Sequence, residues 1–176
     1  MVTAFKLKIV LLLTMGLALS GSHALAQATP EYRAKAGFLY NFIAFTEWPS
    51  TVGSPLTLCV YGADPFGEEL AALQDKTVGG RSLATRQANN LIQLKGCQVV
   101  FIASPAINDL PRILDALQGG PVLTISDTPG ALDAGVGINM MLRQGKIAFE
   151  VNQEATRTAQ LNLSSKLLRL ASRVRQ

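Results

Sequence analysis

Hydrophobic and polar positions divide this chain into a leader and a patterned body. Behind Lys6 and Lys8 an apolar run extends from Ile9 to Leu19, and Ala24-Leu25-Ala26 supplies a small-x-small cleavage pattern. This is the layout of a secretory signal peptide, residues 1–26. The apolar run is short for a membrane span, and no second such stretch follows. From Glu31 the apolar positions take up helical spacing: Ala34, Phe38, Ile43 and Phe45, widened by Tyr40 and Phe42. A helix is expected from there to about Glu47, where Trp48-Pro49 disfavours continuation.

The body then changes period repeatedly. Leu56–Tyr61 is a short apolar, β-prone run and reads as a buried strand. Asp64-Pro65 places an N-cap residue before a proline suited to the first helical turn, so a helix is predicted over 65–74. Val78-Gly79-Gly80-Arg81 is a turn, Ser82–Ala88 alternates like an exposed strand, and Leu91–Leu94 reads as a short helical piece. Val99–Ala103 and Val122–Ser126 are further buried strands on either side of a helix at about 108–117. Val136–Leu142 and Lys146–Val151 flank Arg143-Gln144-Gly145 with hairpin spacing. The end, from Gln153 to about Arg173, reads as one helix or two short ones. Strands alternating with helices predict an α/β fold. The expectation is a single domain over 27–176, with a mainly parallel sheet covered by helices on both faces and an antiparallel hairpin near the C-terminal end.

Composition narrows the chemistry. The chain's one histidine, His23, lies in the leader. Export would therefore leave no histidine for general-base, metal-binding or nucleophile-activating work. Without Lys6 and Lys8, the 16 basic residues become 14 against 12 acidic ones, a nearly balanced surface. No stretch alternates basic and aromatic residues as a nucleic-acid surface does. Arg169, Arg173 and Arg175 form the one basic cluster, read either as a helix end opposing its dipole or as a patch for a membrane surface or acidic partner. Cys59 and Cys97 are the only cysteines. In an oxidising compartment they are read as a structural disulfide, the other reading being two buried thiols.

Candidate ligand positions cluster where strands end, since open parallel sheets bind ligands beyond their carboxyl edge. Gly62 and Asp64, Ser104, and Ser126-Asp127 occupy such ends. Gly62–Gly67 lacks both a P-loop lysine and dinucleotide glycine spacing. Asp127 reads as a turn residue bonding its own backbone. Glu150 and Asn152 share one face of a β-run, as a loop anchor or a contact surface. Trp48 reads as a core plug or an interface anchor, and Ser164 as the cap of the last helix. Arg81 and Arg86 offer planar forks for a carboxylate or phosphate. No carboxylate pair, metal cluster or activated nucleophile emerges, so neither enzyme chemistry nor a cofactor is expected.

Several blocks taken in order resemble the YfiR family. They are Phe38-Leu39-Tyr40-Asn41-Phe42 with Phe45-Thr46-Glu47-Trp48-Pro49, Cys59-Val60-Tyr61-Gly62 with Asp64-Pro65-Phe66-Gly67, and Gly80-Arg81 with Arg86. Val122 to Asp127, Phe149-Glu150-Val151-Asn152, and Leu163-Ser164-Ser165-Lys166-Leu167-Leu168 complete the match. The resemblance implies a periplasmic, non-catalytic, homodimeric repressor of an inner-membrane diguanylate cyclase. Such a protein lowers cyclic-di-GMP output, and with it biofilm formation, and is relieved by an outer-membrane lipoprotein. Partner or ligand contacts are expected at Asn41, Trp48, Arg81, Arg86, Glu150, Asn152 and Lys166. The family's second disulfide has no counterpart here, so redox control through it is not expected. A periplasmic sensor of small anionic ligands, or an adaptor for another membrane sensor, is the alternative.

Overall fold

The computed structural model describes residues 29–176; the leader and His23 lie outside the described residues. Helix α1 (Pro30–Ala44) starts at a Thr29 cap with proline in its first turn. It ends earlier than the periodicity suggests. Thr46 Oγ1 donates to the Phe42 carbonyl and Trp48 Nε1 to the Ile43 carbonyl, satisfying two orphan acceptors of the last turn. Thr46–Glu47 is instead a short strand, β1.

Next come β2 (Leu56–Tyr61), α2 (Glu68–Ala71), β3 (Thr77–Val78) and β4 (Arg81–Ala88). A 3-10 turn over Leu91–Leu94 precedes β5 (Val99–Ile102). A second 3-10 turn, Ser104–Asp109, runs into α3 (Leu110–Leu117). After β6 (Leu123–Ser126), β7 (Ile138–Arg143) and β8 (Lys146–Asn152) come α4 (Gln153–Thr158), β9 (Asn162–Leu163), α5 (Ser165–Leu170) and β10 (Arg173–Arg175).

Eight strands form one sheet in the order β10-β8-β7-β6-β5-β2-β4-β3, and β1 pairs with β9 apart from it. Five neighbouring pairs are parallel; β7–β8 and β3–β4 are antiparallel. The fold is a mixed α/β arrangement on a mostly parallel sheet. Alternate strand residues build two apolar clusters. One joins Leu58, Val60, Phe101, Ile125, Ile138 and Phe149 to α1, α2 and α5. The other joins Cys59, Val100, Ile102 and Val136 to α3.

Three expectations need correction. The helix predicted over 65–74 is only the four residues of α2. Asp64 Oδ1 accepts the Phe66 N–H, and Gly67 turns the chain at φ +54°, so the helix cannot begin at Pro65. The Ser82–Ala88 run is a parallel strand beside β2, with Leu83 and Ala88 buried. The chain's end is not helix to Arg173. Gln160 at φ +57° stops α4, and after α5 the backbone extends into β10, where Arg173 pairs with Glu150. Arg173 and Arg175 are strand residues, and their charges do not oppose a helix dipole.

Candidate functional site

The connection after β4 returns to the far side of β2, so β4 and β5 leave β2 in opposite directions. That switch point is where a doubly wound sheet opens a ligand crevice. Here this chain's own side chains occupy it. Gly62 continues β2 at φ +93°, and a Cβ there would lie 2.8 Å from the Ala106 Cβ. On the other face the fully buried Phe66 stands edge-on to Tyr32 and Phe101, with ring centroids 5.4 and 4.8 Å away.

One strand along, the carboxyl end of β6 carries a buried polar cluster. Asp127 Oδ2 accepts from Lys35 Nζ at 2.6 Å and from the Tyr32 hydroxyl at 2.9 Å. The Lys35 and Asp127 side chains are 4% and 3% exposed, which makes this a desolvated ion pair. Lys35 also pairs with Glu31 and stands 4.4 Å from the Tyr32 ring centroid. Burial, followed by the hydrogen bond to Asp127, pushes the Tyr32 phenol well above the ordinary tyrosine range. Asp127 Oδ1 and Thr128 Oγ1 have no partner among the described residues.

This corrects the reading of Asp127 as the residue that closes its own turn. Ser126 closes it, accepting the Thr128 N–H while donating to the Ile102 carbonyl. Tyr32 and Lys35 were not singled out in the sequence. The available signal was Lys35 itself, a charge one position from the apolar stripe of α1.

The remaining candidates are dispersed. Arg81 and Arg86 lie five residues apart on β4 and face opposite sides. Arg81 donates to the Val52 carbonyl. Arg86 donates to the Lys95 carbonyl and lies 3.3 Å from Cys97 Sγ. Cys59 and Cys97 are joined, with Cα atoms 5.9 Å apart. Trp48 is half-buried against the α1 cluster, whereas Asn41 and Lys166 are exposed on α1 and α5.

Glu150 and Asn152 do share one face of β8. Glu150 faces Arg143 at 3.7 Å and Arg173 at 4.0 Å. Asn152 caps α4 through the Ala155 N–H and donates to the Leu132 carbonyl. Two hydrogen bonds from Arg173 hold the Asp133 carboxyl below its usual range. Beside them opens a cleft of about 740 Å³, lined by Leu114, Leu117, Thr124, Asn152, Glu154 and Arg175 among others. Among the described residues no grouping of His, Cys, Asp or Glu is suited to a metal ion, and no helix is long and apolar enough to cross a membrane.

Sheet order, plugged switch point and dispersed polar groups define an α/β protein whose polar groups tie elements together. Two solved structures share this architecture. One is the ABC domain in complex with L-Trp from Streptococcus pneumonia, with TM-score 0.51, 8% identity, and 67% of this chain and 54% of that one covered. The other is a conserved domain protein from Vibrio cholerae, with TM-score 0.50, 8% identity, and 85% and 61% covered. This chain thus spans little more than half the length of either. The YfiR/HmsC-like family model matches residues 32–172, and the chain belongs to that family. The family is one of periplasmic regulators connected with diguanylate cyclase signalling through a membrane partner.

Proposed function

We propose that this chain is a non-catalytic periplasmic repressor, exported by its leader, that acts as a homodimer. It binds the periplasmic sensor region of an inner-membrane diguanylate cyclase and lowers cyclic-di-GMP output. An outer-membrane lipoprotein relieves it by sequestration. Beside family membership, one observation carries this reading: Phe66, Tyr32 and Ala106 fill the crevice in which a sheet of this order would hold a substrate. A chain that closes its own ligand crevice has its outer surface left for recognition. Asn41, Trp48 and Lys166 are the positions proposed for that surface, with Glu150, 13% exposed, acting by positioning Arg143 and Arg173.

The test is capture of partners by the tagged chain in periplasmic and membrane extracts, read by mass spectrometry beside cellular cyclic-di-GMP. Recovery of a cyclase, with the nucleotide rising when the gene is deleted, supports repression. Unchanged nucleotide with no inner-membrane protein captured overturns it.

The cleft beside Arg175 favours one second reading, a small-molecule sensor. Its anionic ligand would meet Arg175 rather than Arg81 and Arg86, which do not converge. A thermal-shift screen of anionic metabolites against the wild type and Arg175→Ala separates the two. No ligand-dependent shift removes the sensor role.

A further inference from the structure

The β7–β8 hairpin outruns the sheet it belongs to. β6 pairs with β7 only as far as Asn139, and β10 meets β8 only from Glu150 onward. Met140–Arg143 and Lys146–Phe149 therefore pair with each other beyond the neighbouring strands; Met140 and Phe149 at the base are buried, and the end from Leu142 to Lys146 is exposed. At about 3.3 Å per residue, the hairpin runs roughly 13 Å beyond the ends of β6 and β10, the outer half of it exposed. Gln144 and Gly145, both at positive φ, make its two-residue turn.

At the tip the two faces differ in chemistry. Leu142 pairs with Ile147 on the α1 side, and Leu142 is 52% exposed. Arg143 pairs with Lys146 on the opposite side, and both are exposed. α5 ends beside the base of this arm, because the Ser172 N–H donates to the Phe149 carbonyl. That brings in exposed Arg169 and Leu170, the latter 72% exposed. Arg143 and Lys146 on the arm and Arg169 on α5 are all exposed, whereas Arg173 and Arg175 are held by Asp133 and Glu154 away from the tip. Glu150 lies below the tip, 3.7 Å from Arg143, whose side chain nevertheless stays 59% exposed.

We propose that this end of the molecule docks on the surface of an anionic phospholipid bilayer. Leu142, Ile147 and Leu170 enter the acyl boundary, while Arg143, Lys146 and Arg169 meet lipid phosphates. A bilayer interface offers apolar and anionic partners within one nanometre of depth and requires no shaped complement. This suits a convex turn better than a protein pocket does. Such docking would hold a soluble regulator at the membrane, independently of which membrane protein it regulates.

The test is co-sedimentation of the exported, leader-free chain with vesicles. Phosphatidylcholine alone is compared with phosphatidylcholine carrying about one-third phosphatidylglycerol, at low and high salt. Binding is expected only to the anionic vesicles, and high salt should release it. Replacing Arg143, Lys146 and Arg169 together by Gln should lower partitioning on the order of a hundredfold. Leu142→Ser with Leu170→Ser should lower it roughly tenfold. Lys95→Gln should change it little.

Leu142→Trp gives a reading that does not depend on the weakened variants: brominated acyl chains should quench its fluorescence. No binding to anionic vesicles, no quenching, or binding indifferent to charge and leucine substitution overturns the proposal. Loss of a captured membrane protein from the Gln variant, with no vesicle binding by the wild type, would mark the patch as a protein contact. The repressor reading would stand in that case.

Discussion

Replacing Lys35 by Met tests the polar cluster that pins α1 to the sheet. Met keeps the length of the side chain but removes the ammonium, leaving the Asp127 carboxylate, 3% exposed, with only the Tyr32 hydroxyl on Oδ2 and nothing on Oδ1. Breaking one side of a buried pair costs about 3–5 kcal/mol, because the surviving charge keeps its desolvation penalty. With a urea m-value of about 2 kcal/mol/M, the unfolding midpoint should fall by roughly 2 M at unchanged m. Asp127→Asn should cost less, because Lys35 retains Glu31 at the edge of the cluster. The double variant should be milder than the sum, with a coupling above about 1 kcal/mol. Urea melts of the four proteins, followed by circular dichroism, close this cycle. A Lys35→Met midpoint within about 0.3 M of wild type would refute the claim that the pair is desolvated and locked.

Three further outcomes follow from the same geometry. Replacing Cys59 and Cys97 by Ser removes a cross-link between residues 38 apart and should cost about 4 kcal/mol in the chain-entropy model; wild type melted with and without reductant should show the same gap. Gly62→Ala forces a Cβ against Ala106 at positive φ and should cost about 1–3 kcal/mol by thermal melting, and an unchanged melt would contradict the close packing. The Tyr32 phenol is raised above its unfolded value of 10.0, so its contribution is complete below that pH and is lost as pH rises beyond it. Absorbance titration of wild type against Tyr32→Phe should show one tyrosine ionising only as the fold gives way; its ionisation near pH 10 in the folded protein would contradict the burial of the phenol and its hydrogen bond to Asp127.

Periodicity was readable wherever one local rule governed a segment. The apolar runs at Leu56–Tyr61, Val99–Ile102 and Leu123–Ser126 are strands because each side chain on both faces is buried, apart from half-buried Thr57. Ser164 caps α5 through the Leu167 N–H, as its place before an apolar run suggests. The failures lie where distant residues decide. Pro65 follows a good N-cap, yet Phe66 is drawn into the core between Tyr32 and Phe101, and that packing overrides the helical start. The last arginines look helical in isolation, but Glu150 and Asp133 hold Arg173 in a strand from positions no local window includes. Lys35 and Asp127 are the clearest case. Each is ordinary in its own segment, and only tertiary packing brings them together.

The packing of α1 sets an order of events for the chain. Phe38 and Phe42 rest on Phe149, and the Ser164 N–H reaches back to the Phe45 carbonyl. Helix α1 thus finds part of its packing in residues that emerge almost last. Contacts of such long sequence separation make folding slow, because the intervening loop must close before they form. Phe38 and Phe42 on α1 therefore lack their partner Phe149 until nearly the whole chain has been delivered. Under the proposed export, that delay would keep the chain in a threadable form, and it is also the interval in which a holding chaperone would find it.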